Sequence, residues 1–185
     1  MLLRLTVLHM HTRGRPKKKW IPHSSYNPVT LSNDIAIVFL STPVNGVPLA
    51  KINRNPKIPT VGKAVTAIGL GDVKNPPPVA ATDLMRVSMN TLSGSKCSQL
   101  YGAAAFQNSN HLCAGGKKGT CGGDSGGPVL LKGATSSNDI VVGIMSYGGR
   151  PCGVDPNVCT RVSKYATWIT DNICFCSAYS PFTCN

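Results

Sequence analysis

The stretch that decides the fold is Gly122-Gly123-Asp124-Ser125-Gly126-Gly127-Pro128. A serine hydroxyl is a poor nucleophile unless its surroundings expose it, remove its proton and stabilise the oxyanion that it forms. The flanking glycines allow a tight turn that aims the N–H groups of Gly123 and Ser125 at one point, as an oxyanion hole requires. Taken alone, the stretch also fits an ordinary glycine-rich turn, so its surroundings decide between these interpretations.

The composition predicts an all-β protein. The 19 glycines and 14 prolines separate short apolar runs, a pattern typical of many short strands joined by turns. Ile35 to Leu40 is such a run and predicts a fully buried strand, with Asp34 directly before its first residue. Helical spacing is confined to Val162 to Ile173, where a closing helix is expected, and a shorter helix is predicted over Ser95 to Tyr101.

Charge and residue usage exclude several classes of function. The 19 basic residues outnumber the 7 acidic ones, but they are dispersed apart from Arg13 to Lys19, which is more typical of a solvated loop than of a nucleic-acid patch. The sequence has no glutamate, which removes His-Glu metalloproteases and Glu-based glycosidases. We expect no metal, no cofactor, no nucleic-acid partner and no membrane span.

Cysteine usage indicates an oxidising compartment. Spacing typical of a zinc site is lacking, so we expect disulfides and a secreted protein. Met1 to Leu8 is too short and too charged for a good signal peptide, and Leu3 to Val7 alternates like a strand. The eight cysteines all lie in the second half of the chain, at Cys97, Cys113, Cys121, Cys152, Cys159, Cys174, Cys176 and Cys184.

The proline-rich residues 43 to 60 are interpreted as the connection between two lobes. We place the boundary near residue 58. The predicted division is 1–58 for the remnant of an N-terminal barrel, 59–173 for a C-terminal barrel with its closing helix, and 174–185 for a cysteine-containing tail.

Several short motifs follow one another between about residue 20 and residue 173. They are Asn33-Asp34-Ile35-Ala36, Cys97, Leu112-Cys113-Ala114-Gly115, Cys121 to Pro128, Gly143 to Gly148, Thr160-Arg161-Val162 and Trp168-Ile169. In this order they resemble the chymotrypsin/trypsin family of serine endopeptidases. The resemblance implies two Greek-key six-stranded β-barrels, the first incomplete here, and a C-terminal helix.

The same resemblance assigns roles to individual residues. Ser125 would attack the scissile carbonyl, Asp34 would orient a base histidine, and the amides of Gly123 and Ser125 would bind the oxyanion. A polypeptide substrate or protein partner would pair with Ser146, Tyr147 and Gly148 as an added strand. Gly119 and Asn157 would belong to the specificity pocket, and the disulfides would join Cys97 to Cys113 and Cys121 to Cys152.

Two departures from the family predict a catalytically incomplete chain. The family's Ala-Ala-His-Cys segment lies roughly forty residues before the aspartate, whereas only 33 residues precede Asp34 and none of His9, His11 and His23 is followed by cysteine. The amino terminus that the family frees to pair with the aspartate before the serine, here Asp124, is missing too. We therefore expect a disordered or zymogen-like loop.

The pocket also departs from that of trypsin. Gly119 stands where a trypsin carries aspartate, so the sequence predicts a neutral P1 side chain rather than Lys or Arg, and Asn157 is expected to narrow the pocket. Two hypotheses remain open. The protein is a secreted serine endopeptidase whose sequence is truncated at the N terminus, or it is a secreted pseudoenzyme that holds a partner in the old substrate groove as an inhibitor or effector.

Overall fold

The computed structural model describes residues 17–42, 46 and 49–175. Strands dominate this part of the chain, which confirms the all-β prediction. The helices are α1 (Gly94–Tyr101) and α2 (Ala166–Phe175), with 3₁₀ turns at Ser136–Asn138 and Val162–Tyr165. The strands are β1 (Lys17–Pro22), β2 (Ala36–Leu40), β3 (Lys51–Ile52), β4 (Ala64–Gly69), β5 (Asp72–Lys74), β6 (Val79–Ala80), β7 (Met85–Asn90), β8 (His111–Gly115), β9 (Pro128–Leu131), β10 (Ile140–Gly148) and β11 (Pro156–Arg161).

Six antiparallel strands form the larger lobe, in the order β7-β4-β9-β10-β11-β8. An isolated bridge between Thr91, just after β7, and Ala114 in β8 joins the two ends of this row, so the sheet curls into a barrel. Alternate residues of the strands face inward because successive side chains point to opposite faces. The buried interior contains Val65, Ala67, Met89, Leu112, Ala114, Val129, Val142, Met145 and Cys159.

The segment before the proline-rich connection contributes a two-stranded antiparallel sheet, β1 with β2, within the described residues. A second apolar cluster attaches it to the barrel: Ile35 packs with Val141 and Ile144 of β10 and with Tyr165 and Ile169 at the C-terminal end. This cluster removes apolar surface from water at the point where the two parts of the chain meet. It therefore fixes the position of Asp34 relative to β10.

The strand β3 lies in the predicted first segment but pairs with the barrel. Lys51 and Ile52 pair in parallel with Ile140 and Val141 of β10, and the next residue, Asn53, donates its N–H to the Val141 carbonyl at 2.9 Å. Residues 51–53 thus extend the larger sheet. The division at residue 58 stays a prediction. The predicted strand Leu3 to Val7 and all of the predicted tail 174–185 except its first two residues lie outside the described residues.

Both predicted helices are present. The helix α1 matches the expectation for Ser95 to Tyr101, whereas the stretch from Val162 begins as a 3₁₀ turn and becomes α-helical only at Ala166. The predicted disulfides Cys97–Cys113 and Cys121–Cys152 are both formed. Within the part of the chain that the structure describes, Cys159 forms no disulfide, and burial inside the barrel raises the pKa of its thiol to about 12.

Candidate active site

Asp34 is a buried carboxylate at the entrance to β2. Only 1% of its surface is exposed, and its Oδ2 accepts a 2.6 Å hydrogen bond from Oγ of Ser146. Its backbone carbonyl accepts a second hydrogen bond, 2.7 Å long, from Oγ1 of Thr160. Because Ser146 lies on β10 and Thr160 on β11, the barrel holds both the side chain and the main chain of Asp34.

Asn33, which immediately precedes Asp34, is held in place by its own backbone conformation and by a hydrogen bond. It has a left-handed φ of 55°, a conformation that asparagine tolerates better than most residues. Its Oδ1 accepts a 3.0 Å hydrogen bond from the hydroxyl of Tyr165. Burial raises the pKa of Tyr165 to about 12, and the charge of Asp34 acts in the same direction, so the hydroxyl keeps the proton that it donates.

Ser125 lies exposed in the turn between Cys121 and β9. Two hydrogen bonds of 2.9 Å tie this turn to β10, from Gly126 N to the Met145 carbonyl and from Met145 N to the Gly127 carbonyl. Gly123 has φ 96°, a conformation that a side chain would strain. Among the described residues, neither Gly123 N nor Ser125 N has a hydrogen-bond acceptor, so both amides are open to an added oxyanion.

Asp124 turns away from Ser125 and accepts two backbone hydrogen bonds. Its Oδ1 accepts from Gly71 N at 2.9 Å and its Oδ2 from Cys121 N at 2.8 Å. A Cβ at Gly69 would lie 2.0 Å from Oδ1, and one at Gly71 would lie 2.5 Å from Cγ, so the carboxylate occupies the space that these glycines leave. In the described part of the chain Asp124 has no salt bridge, and its hydrogen-bond partners there are these two amides. The expectation of a disordered or zymogen-like loop stays a prediction.

A cavity of about 310 Å³ opens beside Ser125. Ser146, Tyr147 and Gly148 form one wall, the segment from Thr120 to Gly123 forms another, and the Cys121–Cys152 disulfide braces them. Thr120 and Arg150 also line the cavity, although no sequence motif pointed to them, and so does Met145, which lies within the motif Gly143 to Gly148 without a predicted role. The position of Arg150, two residues after the predicted peptide-binding residue Gly148, is the sequence feature that indicates its place in the lining.

The two predicted pocket residues take different places. Asn157 lines the cavity, whereas Gly119 lines a neighbouring depression behind it. Oδ1 of Asn157 accepts a 3.0 Å hydrogen bond from Thr120 N, and a Cβ at Gly119 would lie 2.4 Å from the same oxygen. The asparagine side chain therefore separates Gly119 from the space beside Ser125.

Tyr147 is held rigidly on the outer side of β10. Its hydroxyl donates to the Ala105 carbonyl at 2.8 Å, and its ring meets that of Tyr101 edge to face with centroids 5.3 Å apart. Burial raises the pKa of Tyr147 well above its usual value, so the phenol stays neutral. Tyr147 therefore contributes a fixed, uncharged ring to this wall.

Neither histidine in the described residues reaches Ser125. His23 packs its ring against Trp168 and Tyr165 of the C-terminal end, and its Nδ1 accepts from Ser25 N at 3.2 Å. His111 is buried, with Nδ1 accepting from Gln107 N at 3.0 Å. Burial lowers the pKa of both. His9 and His11 lie outside the described residues.

No group of three or more His, Cys, Asp or Glu side chains suited to a metal ion occurs in the part of the chain that the structure describes. None of the helices in that part is both long enough and apolar enough to cross a bilayer.

Comparisons with known proteins agree with this geometry. The Trypsin family model matches residues 7–169. Human Kallikrein-7 is 34% identical over 157 residues, which cover 82% of this chain and 59% of that protein. Glucanase inhibitor protein 3 of Phytophthora infestans is 34% identical over 151 residues, covering 80% of this chain and 57% of the relative. A snake venom serine protease homolog of Bothrops jararacussu is 35% identical over 161 residues, which cover 83% and 59%.

A solved structure gives the same result for the fold. Neuropsin, described as a serine protease expressed in the limbic system of mouse brain, superposes with a TM-score of 0.77 at 29% identity, covering 86% of this chain and 71% of that one. The chain spans about three fifths of the length of the curated relatives named above.

Proposed function

Because this chain belongs to the trypsin family of serine proteases, we propose that it carries part of the active site of a secreted serine endopeptidase, with Ser125 as nucleophile and Asp34 as the acidic member of the triad. One observation carries the proposal. Ser146 lines the same cavity as Ser125 while its hydroxyl donates to the buried Asp34 carboxylate. The carboxylate thus lies behind the wall of the cavity into which the nucleophile opens.

Each group has a role in acyl transfer. The Ser125 oxygen attacks the carbonyl carbon of a peptide as its proton passes to a histidine, and the carbonyl oxygen becomes an oxyanion. The open amides of Gly123 and Ser125 donate to that oxyanion. Asp34 orients the histidine and stabilises its cationic form, while the Ser146 hydroxyl holds the carboxylate in place.

The histidine is the group that the described residues do not supply. His23 and His111 are both held in other contacts, each with a lowered pKa and with Nδ1 already accepting a backbone hydrogen bond. We therefore expect that the 185-residue chain, assayed by itself, binds peptides along Ser146 to Gly148 without hydrolysing them.

A second candidate function is binding without catalysis. Two relatives carry names that point this way, the glucanase inhibitor protein and the venom serine protease homolog. The peptide-binding wall, the disulfide brace and the buried aspartate would all serve a protein that holds a partner in the groove. An extracellular location agrees with the two disulfides in either case.

Fluorophosphonate labelling with and without free imidazole separates the two functions. An added imidazole acts as a soluble base, so a nucleophile arrangement that lacks only its histidine should gain a labelling rate of at least about tenfold. The Ser125→Ala chain should remain unlabelled, and Asp34→Asn should reduce the gain because the imidazolium loses its carboxylate.

Labelling of Ser125 in the absence of imidazole would mean that a histidine of this chain already serves as base. Labelling that stays at the Ser125→Ala level with imidazole present would refute the endopeptidase proposal and favour the binding function.

A further inference from the structure

The hairpin of β5 and β6 lies against the turn that carries Ser125. Asp72, the first residue of β5, donates its N–H to the Gly122 carbonyl at 2.7 Å. A Cβ at Gly123 would lie 3.0 Å from the Cα of Gly71, so the chain just before β5 follows the next residue of the turn closely. The start of the hairpin therefore lies beside both glycines of the turn.

The hydrogen bond to Gly122 fixes the direction of the Gly123 amide. The carbonyl of Gly122 and the N–H of Gly123 belong to one trans peptide group, which is planar, so they point in opposite directions. Because the carbonyl points at Asp72, the N–H points away from the hairpin. Asp72 lines the neighbouring depression, whereas Gly123 lines the cavity beside Ser125, so this orientation leaves the N–H on the side where an oxyanion would form.

The two glycines do not hold this orientation by themselves. Glycine adopts positive and negative φ about equally readily, so rotation of the peptide group between Gly122 and Gly123 meets little steric resistance. A rotated peptide would turn its carbonyl oxygen towards the cavity, where it would repel an oxyanion instead of binding it. In the described part of the chain, the N–H of Asp72 is the group that opposes this rotation.

Asp72 is itself held in place by Asn75. The Asp72 Oδ2 accepts a 3.1 Å hydrogen bond from Nδ2 of Asn75, and the Asn75 carbonyl accepts one from Cys152 N at 3.3 Å. Cys152 is joined to Cys121 by a disulfide, so the hairpin is connected to the turn at a second point. These contacts give the N–H of Asp72 a fixed position from which it can orient the turn.

We infer that Asp72 is a positioning residue whose N–H holds the peptide group between Gly122 and Gly123 in the orientation in which Gly123 donates to an oxyanion. Asp72 acts through the turn and contacts neither the nucleophile nor a substrate. The inference rests on the proposed function, because it presumes that an oxyanion forms at Ser125.

Fluorophosphonate labelling of the complete 185-residue chain in the presence of imidazole tests the inference. In this reaction the Ser125 oxygen bonds to phosphorus, fluoride leaves, imidazole takes the proton of the hydroxyl, and the phosphoryl oxygen occupies the place of the oxyanion. A labelled tetra-alanine peptide that pairs along Ser146 to Gly148 gives a second measurement, because its affinity does not depend on the oxyanion donors.

A pair of variants isolates the N–H of Asp72. Asp72→Pro removes this donor at the first residue of a strand, a position that tolerates proline. Asp72→Ala is the matched control, since both variants lack the carboxylate and only the proline variant lacks the N–H. We expect Asp72→Pro to be labelled about tenfold more slowly than Asp72→Ala, with equal affinity for the peptide, because the donating orientation becomes a minor one.

Two further measurements guard against a general disturbance of the hairpin. Val79→Pro places the same ring at the first residue of β6, the strand paired with β5, and it should be labelled at the wild-type rate. Thermal unfolding checks that the variants are folded. Amide hydrogen exchange of the wild-type chain tests the contact without any variant, and the Asp72 N–H should exchange at least about tenfold more slowly than in an unfolded chain.

Equal labelling rates in Asp72→Pro and Asp72→Ala would overturn the inference and leave the proposed function intact. A matching loss of peptide affinity in Asp72→Pro, an equally slow Val79→Pro, or exchange of the Asp72 N–H at the rate of an unfolded chain would also overturn it. A wild-type chain that imidazole does not make reactive would overturn the proposed function and the inference together.

Discussion

Removal of the Ser146 hydroxyl should destabilise the protein measurably. In Ser146→Ala the buried Asp34 Oδ2 loses a donor at 2.6 Å, and both residues are almost fully buried, with 4% and 1% exposed. A hydrogen bond to a charged group contributes about 1.5–3 kcal/mol. In a domain of this size that loss corresponds to a fall in Tm of roughly 3–12 °C.

The assay is urea unfolding of the variant and the wild-type chain, compared at equal m values so that the midpoint reports stability alone. Ser163→Ala is the matched control. It deletes the same atom at a buried hydroxyl that has no hydrogen-bond partner among residues 17–42, 46 and 49–175, so its cost should stay within about 0.5 kcal/mol or turn into a gain.

Equal stability of the two alanine variants would refute the reasoning. It would mean that the Asp34 carboxylate is satisfied without Ser146 and that the hydroxyl is not what connects the acid to the cavity wall.

Three further predictions concern the loop and the barrel. Gly71→Ala places a Cβ about where the Asp124 carboxylate lies and should cost about 1–3 kcal/mol, with loss of peptide binding, by urea unfolding and fluorescence polarisation. Replacing Cys121 and Cys152 together by alanine should cost about 2–4 kcal/mol by the same unfolding assay. Because burial lowers the pKa of His111, stability should fall as the pH drops below about 6.5, and His111→Asn should flatten that dependence in a pH series of melting curves.

Each of these has a control within the chain. Gly62→Ala introduces a side chain at a positive φ with open space around it, so it should cost about 1 kcal/mol and leave peptide binding unchanged. A loss equal to that of Gly71→Ala would contradict the role of the Asp124 contact. Cys159→Ala should leave the two disulfides intact, because Cys159 takes part in no disulfide among the described residues. For the pH series, His23→Asn should alter the curve less than His111→Asn, since His23 is partly exposed and His111 is buried.

The sign of the pH prediction follows from the protonation states. The unfolded chain binds a proton on His111 near the ordinary pKa, whereas the folded chain, with its lowered pKa, resists it. Acid therefore favours the unfolded state, and stability is fully present above the unfolded pKa. A stability profile that rises towards pH 5 would contradict this assignment.

The sequence was sufficient for the fold class and for the positions of both helices, because alternation and turn residues are local signals. The two disulfides followed from the family resemblance, which rests on the order of the motifs. The resemblance also named Asp34 as the acid of the triad and Ser146 as part of a peptide-binding wall, but it did not predict that the two side chains contact each other. Their hydrogen bond joins residues 112 positions apart, and no local pattern encodes such a contact. It depends on the apolar cluster in which Ile35 packs with Val141 and Ile144 of β10.

Two contacts at the site have no counterpart in a sequence pattern. Gly69 and Gly71 leave the space that the Asp124 carboxylate occupies, and Gly71 N and Cys121 N donate to it. Gly119 and Asn157 line separate cavities, and a Cβ at Gly119 would lie 2.4 Å from Oδ1 of Asn157; their joint role in substrate specificity stays a prediction.

The contacts of Asp34 also constrain the order of events when the chain folds. The most distant pairing within the six-stranded row joins Thr66 to Leu130, whereas the carboxylate meets its serine across a separation of 112 residues. Closure entropy and the slow formation of distant pairings place that meeting late. We therefore expect the walls around the nucleophile to form, when the chain folds, before the acid docks against Ser146.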